Sequence, residues 1–348
     1  MRTLELWLEQ LDWVIIIKKE TIGIWKPFME VYFHDDRNDM SAVSYEVTHL
    51  SRILAKNGHK VGIMTPTDLK DGFYNDLYKG RIYKAKPTDE FDRIIVFSGS
   101  FPLCKHSSAT IIPELRKQTK RLDFLLTDLR LEPDRQYYKH FDNIYTQSTK
   151  KGGLDFLNEL GYKNAYGGVS EFLPFEHKWK HDNVEDVLKD KDVHYYFGGT
   201  ERDRLKEYLE YVWRPDCTYT GRSPTLGFNN RVTRDVFMDY LDRAKHSVCF
   251  ADESYNKNHF VLPRFYENIM HDIICFCSNT FDPDEHMIGK YDWRRVNNYM
   301  ELREKMKELD DDEDNYLALL RRQRKELKPE YINGDYVYEM ITKPVGEE

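Results

Sequence analysis

Strands that alternate with helices, twice over, predict an α/β protein of two Rossmann-like domains. Three observations carry this. Short apolar runs recur between amphipathic stretches, the pattern of βαβ units and parallel sheets. The alternation is interrupted once, around residues 174–191, by the charged, strand-poor segment "PFEHKWKHDNVEDVLKDK". At 348 residues, 40% hydrophobic and 14% aromatic, the chain can bury two ordinary cores.

In the first half, "MEVYF" (29–33) is the first strand with a clear successor, followed by the polar loop "HDDRND". A helical pattern then runs from Ala42 to Lys56 and is closed by Gly58. "KVGIMT" and "RIIVFSGS" (93–100) are the next strands, and a helix near 109–118 leads to the run Phe124-Leu125-Leu126. That run stops at Thr127-Asp128, so a carboxylate stands where a buried strand ends. In open α/β sheets the crevice beyond the strand C-termini is where ligands bind. Asp128 is there either as a base or as the cap of the next helix. "FDNIYTQS" (141–148) is a further strand, with a helix over about 150–160.

The alternation restarts with "VHYYFGG", the helix "RDRLKEYLEYVW" and the strand "CTYTG". A helix over 233–245, the strand "SVCFAD", the helix "PRFYENIMHD" and the strand "IICFCS" follow. The tail from about 295 is helical, with "DDDED" as a solvated turn between two helices. The expected organisation is an N-terminal extension (1–28), a first domain (29–174) and a second domain (175–331). No fixed-period repeat is present.

Net charge is −8, with 52 basic and 60 acidic residues, so nothing draws the whole chain to nucleic acid or anionic lipid. The five cysteines include no CxxC, and Cys275 and Cys277 alternate in an apolar run. They read as small core residues in a reducing compartment. No run approaches the roughly 18 apolar residues of a membrane span, and "MRTLELWLEQLDWVIIIKKE" lacks the form of a signal peptide, so a cytoplasmic location without membrane contact is expected. The twelve histidines show no metal-ligand spacing, which offers none of them as a ligand.

Chemistry concentrates at the strand ends of the second half. Gly198, Gly199 and Thr200 end one strand, and Arg202 and Arg204 open the next helix. Close backbone approach, a helix N-terminus and guanidinium groups are what a diphosphate needs. A plain strand–helix turn with surface arginines has the same sequence. Arg222 follows the next strand, and Asp252 and Tyr255 follow a third. Arg264 and Glu267, three apart on a helix, share a face. They form an intrahelical ion pair, or a phosphate contact and a ribose-hydroxyl acceptor. The pattern alone also admits periplasmic binding proteins and dehydrogenases, although no GxGxxG follows the first strand.

The order of these stretches resembles the DNA β-glucosyltransferases of T-even bacteriophages. "SYEVTHLSRILAKNGHKVGIM" is similar to that family's first helix and second strand, with Glu46 on its acidic residue. "FLLTDLRL" is similar to its strand ending in Thr-Asp-Ile-Arg-Leu, with Asp128 on the proposed base. "YYFGGTER" resembles its Gly-Gly-Ser-x-Arg phosphate loop, while "YTGRSP" and "ADESYNKNHFVLPRFYE" resemble its Thr-Gly-Lys loop and its Asp-x-x-Tyr-Asn…Arg-x-x-Glu element. Together they span most of 29–290. The family's lysine after Thr-Gly is Arg222 here, and its second phosphate-loop arginine falls on Arg204 or Lys206.

The resemblance implies a GT-B fold with two domains facing across a cleft and a C-terminal helix, about 332–348, returning to the first. It implies a monomer that transfers glucose from UDP-glucose to hydroxymethylcytosine in duplex DNA with inversion. Asp128 would be the base and Glu46 would assist. Gly198, Gly199, Thr200, Arg202, Arg204, Arg222, Asp252, Tyr255, Arg264 and Glu267 would hold the UDP-sugar, with room for Mg2+ or Mn2+. Two alternatives stand beside it: a GT-B enzyme using a UDP-sugar on another acceptor, and a non-catalytic nucleotide-sugar or nucleic-acid binding relative.

Overall fold

The computed structural model describes residues 19–25, 42–64, 80–98, 108–126, 138–146, 152–159, 161–162, 165–167, 179–201, 204–251, 256, 262–283, 285, 287–327 and 334–342. Within them the chain forms two sheets. The first holds β1 (Thr21–Trp25), β2 (Lys60–Met64), β3 (Ile82–Lys84), β4 (Phe91–Ser98), β5 (Thr119–Leu126), β6 (Asn143–Thr146) and β7 (Ala165–Gly167), in the order β3-β2-β1-β4-β5-β6-β7. Every neighbouring pair in it is parallel.

Parallel strands need crossovers, and among the described residues α1 (Ala42–Lys56), α2 (Ser108–Gln118) and α3 (Gly152–Glu159) supply helical ones. Both faces of the sheet are therefore covered. On one face Ile22, Ile24, Ile63 and Leu125 pack with Val47, Leu50 and Leu54 of α1. On the other, Ile94, Val96, Leu122 and Phe124 pack with Ile112 and Leu115 of α2 and Leu157 of α3.

One expectation is corrected here. Residues 21–25, expected to lie in an N-terminal extension (1–28), form β1 and so have a place in the fold. It is a central strand, with Ile22 opposite Val61 on one side and Arg93 on the other. "TIGIW" is short, interrupted by glycine and buried on both faces, so it lacks the two-residue alternation that marks a half-exposed strand. The run 29–33, taken as the first strand, lies outside the described residues.

The second sheet holds β8 (Val193–Thr200), β9 (Cys217–Ser223), β10 (Phe228–Asn230), β11 (Ala244–Cys249), β12 (Ile274–Ser278) and β13 (Arg295–Val296), in the order β10-β9-β8-β11-β12-β13. Only β10, paired to β9, runs antiparallel. A short turn α4 (Leu205–Glu207) widens into a π-helical turn, Tyr208–Val212. Helices α5 (Arg234–Arg243), α6 (Pro263–Met270), α7 (Tyr299–Asp311) and α8 (Glu313–Glu326) complete the domain. Leu302 and Met306 of α7 and Leu320 of α8 pack on Tyr195, Phe197, Val248 and Phe276. Cys249, Cys275 and Cys277 are buried with Phe265 and Ile269 of α6, and none forms a disulfide. The segment before β8 is a 3-10 helix, Val184–Asp190, with Val184 and Val187 buried. No described helix is long and apolar enough to cross a membrane.

The last helix, α9 (Asp335–Thr342), packs on the first sheet through Val337, Tyr338 and Ile341. A buried arginine holds it there. Arg93 is fully buried, and its Nη1 donates to the Ile341 carbonyl. Its Nε lies 3.1 Å from Glu20 and its Nη1 lies 3.6 Å from the buried Asp123. Arg121 and Asn143 also bond Asp123, at 3.0 Å and 2.6 Å, and the Tyr145 hydroxyl donates to Ile341 O at 3.2 Å. Removing one member of a buried ion network strands the others in low dielectric. Arg93→Met should therefore lose about 3 kcal/mol of stability in denaturant unfolding. It should also raise hydrogen exchange across 335–342 first. Unchanged protection there would show that apolar contacts alone seat α9.

Candidate functional site

The polar strand ends of the second sheet converge. Gly198, Gly199 and Thr200 end β8 and lie opposite Thr220, Gly221 and Arg222 of β9. Gly221 has φ of 147°, and a Cβ there would fall 1.7 Å from the Gly199 carbonyl oxygen. Only glycine fits such a backbone and such an approach. The two glycine signals, twenty-two residues apart in sequence, are thus one contact between neighbouring strands. The Tyr219 hydroxyl adds a 3.1 Å bond to the same Gly199 carbonyl.

Glu201, immediately after β8, links the two loops. It is fully buried. Its N–H donates to Arg222 O at 2.8 Å, and its carbonyl accepts from the Arg204 N–H at 3.1 Å. Its carboxylate accepts from Ser223 Oγ, from Thr225 Oγ1 at 2.5 Å and from Thr225 N at 3.3 Å. Burial raises this carboxyl, but the bonds from Ser223 and Thr225 outweigh it and hold it below the ordinary glutamate value. Glu201 is therefore an anion whose bonds face its own loops.

The cations occupy three positions. The Arg204 guanidinium donates to the carbonyls of Thr200, Glu201 (3.3 Å) and Phe250 (3.4 Å), and sits 5.3 Å from the Phe250 ring centre. It thus braces the strand ends. Arg222 is exposed at the end of β9. Arg264 stands in the first turn of α6, where Pro263 starts the helix. Its guanidinium lies 4.8 Å from the Phe237 ring centre and its Nη1 is 3.3 Å from Glu267. That Nη1 is buried and makes no hydrogen bond among the described residues. Phe237 is in turn held against Gly198, where a Cβ would fall 2.5 Å from its ring. The ion pair that an ordinary helix surface would form is thus present, but it sits on the strand-end cluster. Burial pushes the Tyr208 hydroxyl well above its ordinary range, while the Arg204 and Arg264 charges oppose this, so both guanidinium groups act on one buried ring.

The structure therefore gathers Gly198, Gly199, Thr200, Arg204, Arg222, Arg264 and Glu267 at one end of one sheet. Arg202, Asp252, Tyr255 and Asp128 lie outside the described residues, and Glu46 is described only as backbone within α1. Asp128 follows the last residue of β5 by two positions. Sequence reading passed over Glu201 and Phe237. A lone carboxylate inside a cationic loop was the available signal for Glu201. Phe237 had none, being one apolar residue of an amphipathic helix. Among the described residues, no three metal-ligating groups meet at this end of the sheet.

No protein-family model matches the sequence, and no curated protein matches it. Solved structures do match. T4 phage BGT in complex with UDP and Mn2+ aligns at TM-score 0.64 and 15% identity, over 93% of this chain and 100% of that one. T4 phage BGT with its UDP-glucose substrate aligns at 0.60 and 18%, over 92% and 96%. Anabaena Alr3699/HepE in complex with UDP aligns at 0.56 and 11%, over 93% and 100%. The likeness extends over nearly the whole chain, and at these identities it establishes the architecture: two Rossmann-like domains in the GT-B fold.

Proposed function

We propose that this chain is an inverting glycosyltransferase that takes its sugar from a UDP-linked donor held on the second domain. The observation that carries this is the gathering of Arg204, Arg222 and Arg264 with the α6 N-terminus and Glu267 at one end of a parallel sheet. A helix N-terminus and guanidinium groups bind phosphate oxygens. Glu267 can accept from ribose hydroxyls once Arg264 turns to a phosphate. The GT-B fold, shared with proteins solved with UDP, supports the same reading.

In the reaction, an acceptor hydroxyl oxygen attacks the anomeric carbon. The bond from that carbon to the diphosphate oxygen breaks, and UDP leaves with the electron pair. Asp128 takes the hydroxyl proton, with Glu46 as its assistant. One direct displacement inverts the configuration. Arg222 and Arg264 stabilise charge growing on the leaving diphosphate, while Arg204 adds its charge from behind the strand ends it braces. Asp252 and Tyr255 complete the donor side with Arg202 and Thr200. We further propose that the acceptor is the hydroxymethyl group of a modified pyrimidine in duplex DNA, flipped from the stack at a cost of a few kcal/mol. The order of the phage-like motifs supports it. The net charge of −8 favours the rival reading, a non-DNA acceptor on the same fold. Mass spectrometry of hydroxymethylated DNA incubated with UDP-glucose separates them: a mass gain of one hexose supports DNA, and donor turnover only with another acceptor supports the rival.

Arg264→Ala and Glu267→Ala should each weaken UDP binding by about 1.5–3 kcal/mol, the range for a hydrogen bond to a charged group. Calorimetry measures this, and unchanged affinity in both variants would remove the assignment. Glu201→Gln should reduce affinity by a smaller factor, because it loosens the loops without touching the ligand. An effect as large as that of Arg264→Ala would mean direct contact instead. Asp128→Asn should cut kcat by about 10² or more while UDP binding persists. Asparagine caps a helix about as well as aspartate, so near-normal transfer would make Asp128 a cap only.

A further inference from the structure

The opposite end of the second sheet holds a cluster that the donor site does not use. His194 is the second residue of β8 and His246 the third of β11. Asp310 lies in the last turn of α7. His194 Nε2 is 2.7 Å from Asp310 Oδ2, and His246 Nε2 is 3.3 Å from Asp310 Oδ1. The ligating atoms of the three all lie within 4.8 Å of one another. Gly199, five residues along β8 from His194, is roughly 16 Å away at the rise of a strand.

From this geometry we propose that His194, His246 and Asp310 form a divalent transition-metal site, of the kind that takes Zn2+. Two imidazoles and one carboxylate are a borderline donor set, which suits Zn2+ better than Mg2+ or Ca2+. At Zn–N and Zn–O distances near 2.1 Å, tetrahedral ligands sit roughly 3.4 Å apart, so the three groups need to move by about an ångström. His194 is half-exposed and can supply that movement, and it leaves one side open for water as a fourth ligand. His246 is fully buried and packs against the Tyr316 and Phe276 rings.

The electrostatic setting favours a cation. A carboxylate in the last turn of a helix faces the negative end of the helix dipole and is unfavourable there without a positive partner. Asp310 is also the first of five consecutive acidic residues, Asp310 to Glu313 and Asp314. Lys245 Nζ, 3.5 Å from Asp310 Oδ1, now supplies positive charge and would be displaced by the ion. Coordination through His246 Nε2 leaves the ring proton on Nδ1, which is buried and has no hydrogen-bond partner among the described residues. Metal-bound histidines ordinarily donate that proton to an acceptor, and lacking one lowers affinity about 10- to 100-fold. A micromolar rather than nanomolar Kd is therefore the expected result. An ion here would tie the end of α7 to the starts of β8 and β11.

The test uses the full chain without a histidine tag. Calorimetry with ZnCl2 should give one equivalent bound at micromolar Kd, and Co2+ should give the visible ligand-field absorption of a four-coordinate site. Saturating Zn2+ should raise the melting temperature. His194→Ala, at a half-exposed position, and Asp310→Asn should each reduce Zn2+ affinity at least tenfold and leave UDP binding unchanged. Absence of binding in the wild type would overturn the site and leave the cluster as an ion-pair clasp. Equal binding in both variants would overturn it too, by assigning the ion to other histidines.

Discussion

The strand-end cluster of the second sheet depends on one backbone contact. β8 and β9 approach so closely at Gly199 and Gly221 that a single methyl group would overlap a carbonyl oxygen. This contact sets the register in which Thr200 faces Arg222, and so fixes how far apart the two cationic loops begin. Glu201 then locks them. Its backbone bonds both Arg222 and Arg204, and its carboxylate satisfies the turn after β9. Burying a carboxylate is unfavourable unless its oxygens are bonded, and here they are. The backbones that carry Arg204 and Arg222 are thereby held in a defined frame. Such a frame would reduce the ordering entropy lost on binding the diphosphate proposed above.

The first domain solves a different problem with the same physics. Its central strands are too apolar to hold polar groups without pairing them, yet Arg93, Arg121, Asp123 and Asn143 sit in β4, β5 and β6. They form a bonded network whose outward partner is the carbonyl of Ile341 in the last helix. Helix α9 is thus recruited to the sheet that contains β1. Loss of α9 would leave Arg93 without its carbonyl.

How much of this was legible in the sequence depended on whether a residue's partner was near or far along the chain. α1 showed its amphipathic period plainly, and its limits, Ala42 and Lys56, are those read from the pattern. β5 was read from Phe124 only, because its first half, "TKRLD", carries charges. Those charges are buried by partners on other strands, and no local pattern signals that. β1 was missed because a strand buried on both faces has no alternation. β3, β7, β10 and β13 were missed because two or three residues hold no period at all. At the site, the glycines and arginines were legible as residue types at strand ends. Their grouping was not: Phe237, which joins Gly198 to Arg264, lies on α5, away from both in sequence. The histidines read as offering no ligands for the same reason. His194 and Asp310 are 116 residues apart, and His246 and Asp310 are 64 apart, so spacing rules written for single helices could not join them. Asp310 itself was read as part of a solvated turn, whereas it ends a helix and pairs with both rings.

The central claim is that a uridine diphosphate group binds where β8, β9 and α6 meet. Hydrogen-exchange mass spectrometry with and without saturating UDP tests it across the whole chain at once. Slowed exchange is expected in peptides covering 198–205, 220–226 and 262–268, with 193–196 and 299–311 unchanged. Protection confined to the first domain, or none at saturating UDP, would contradict it.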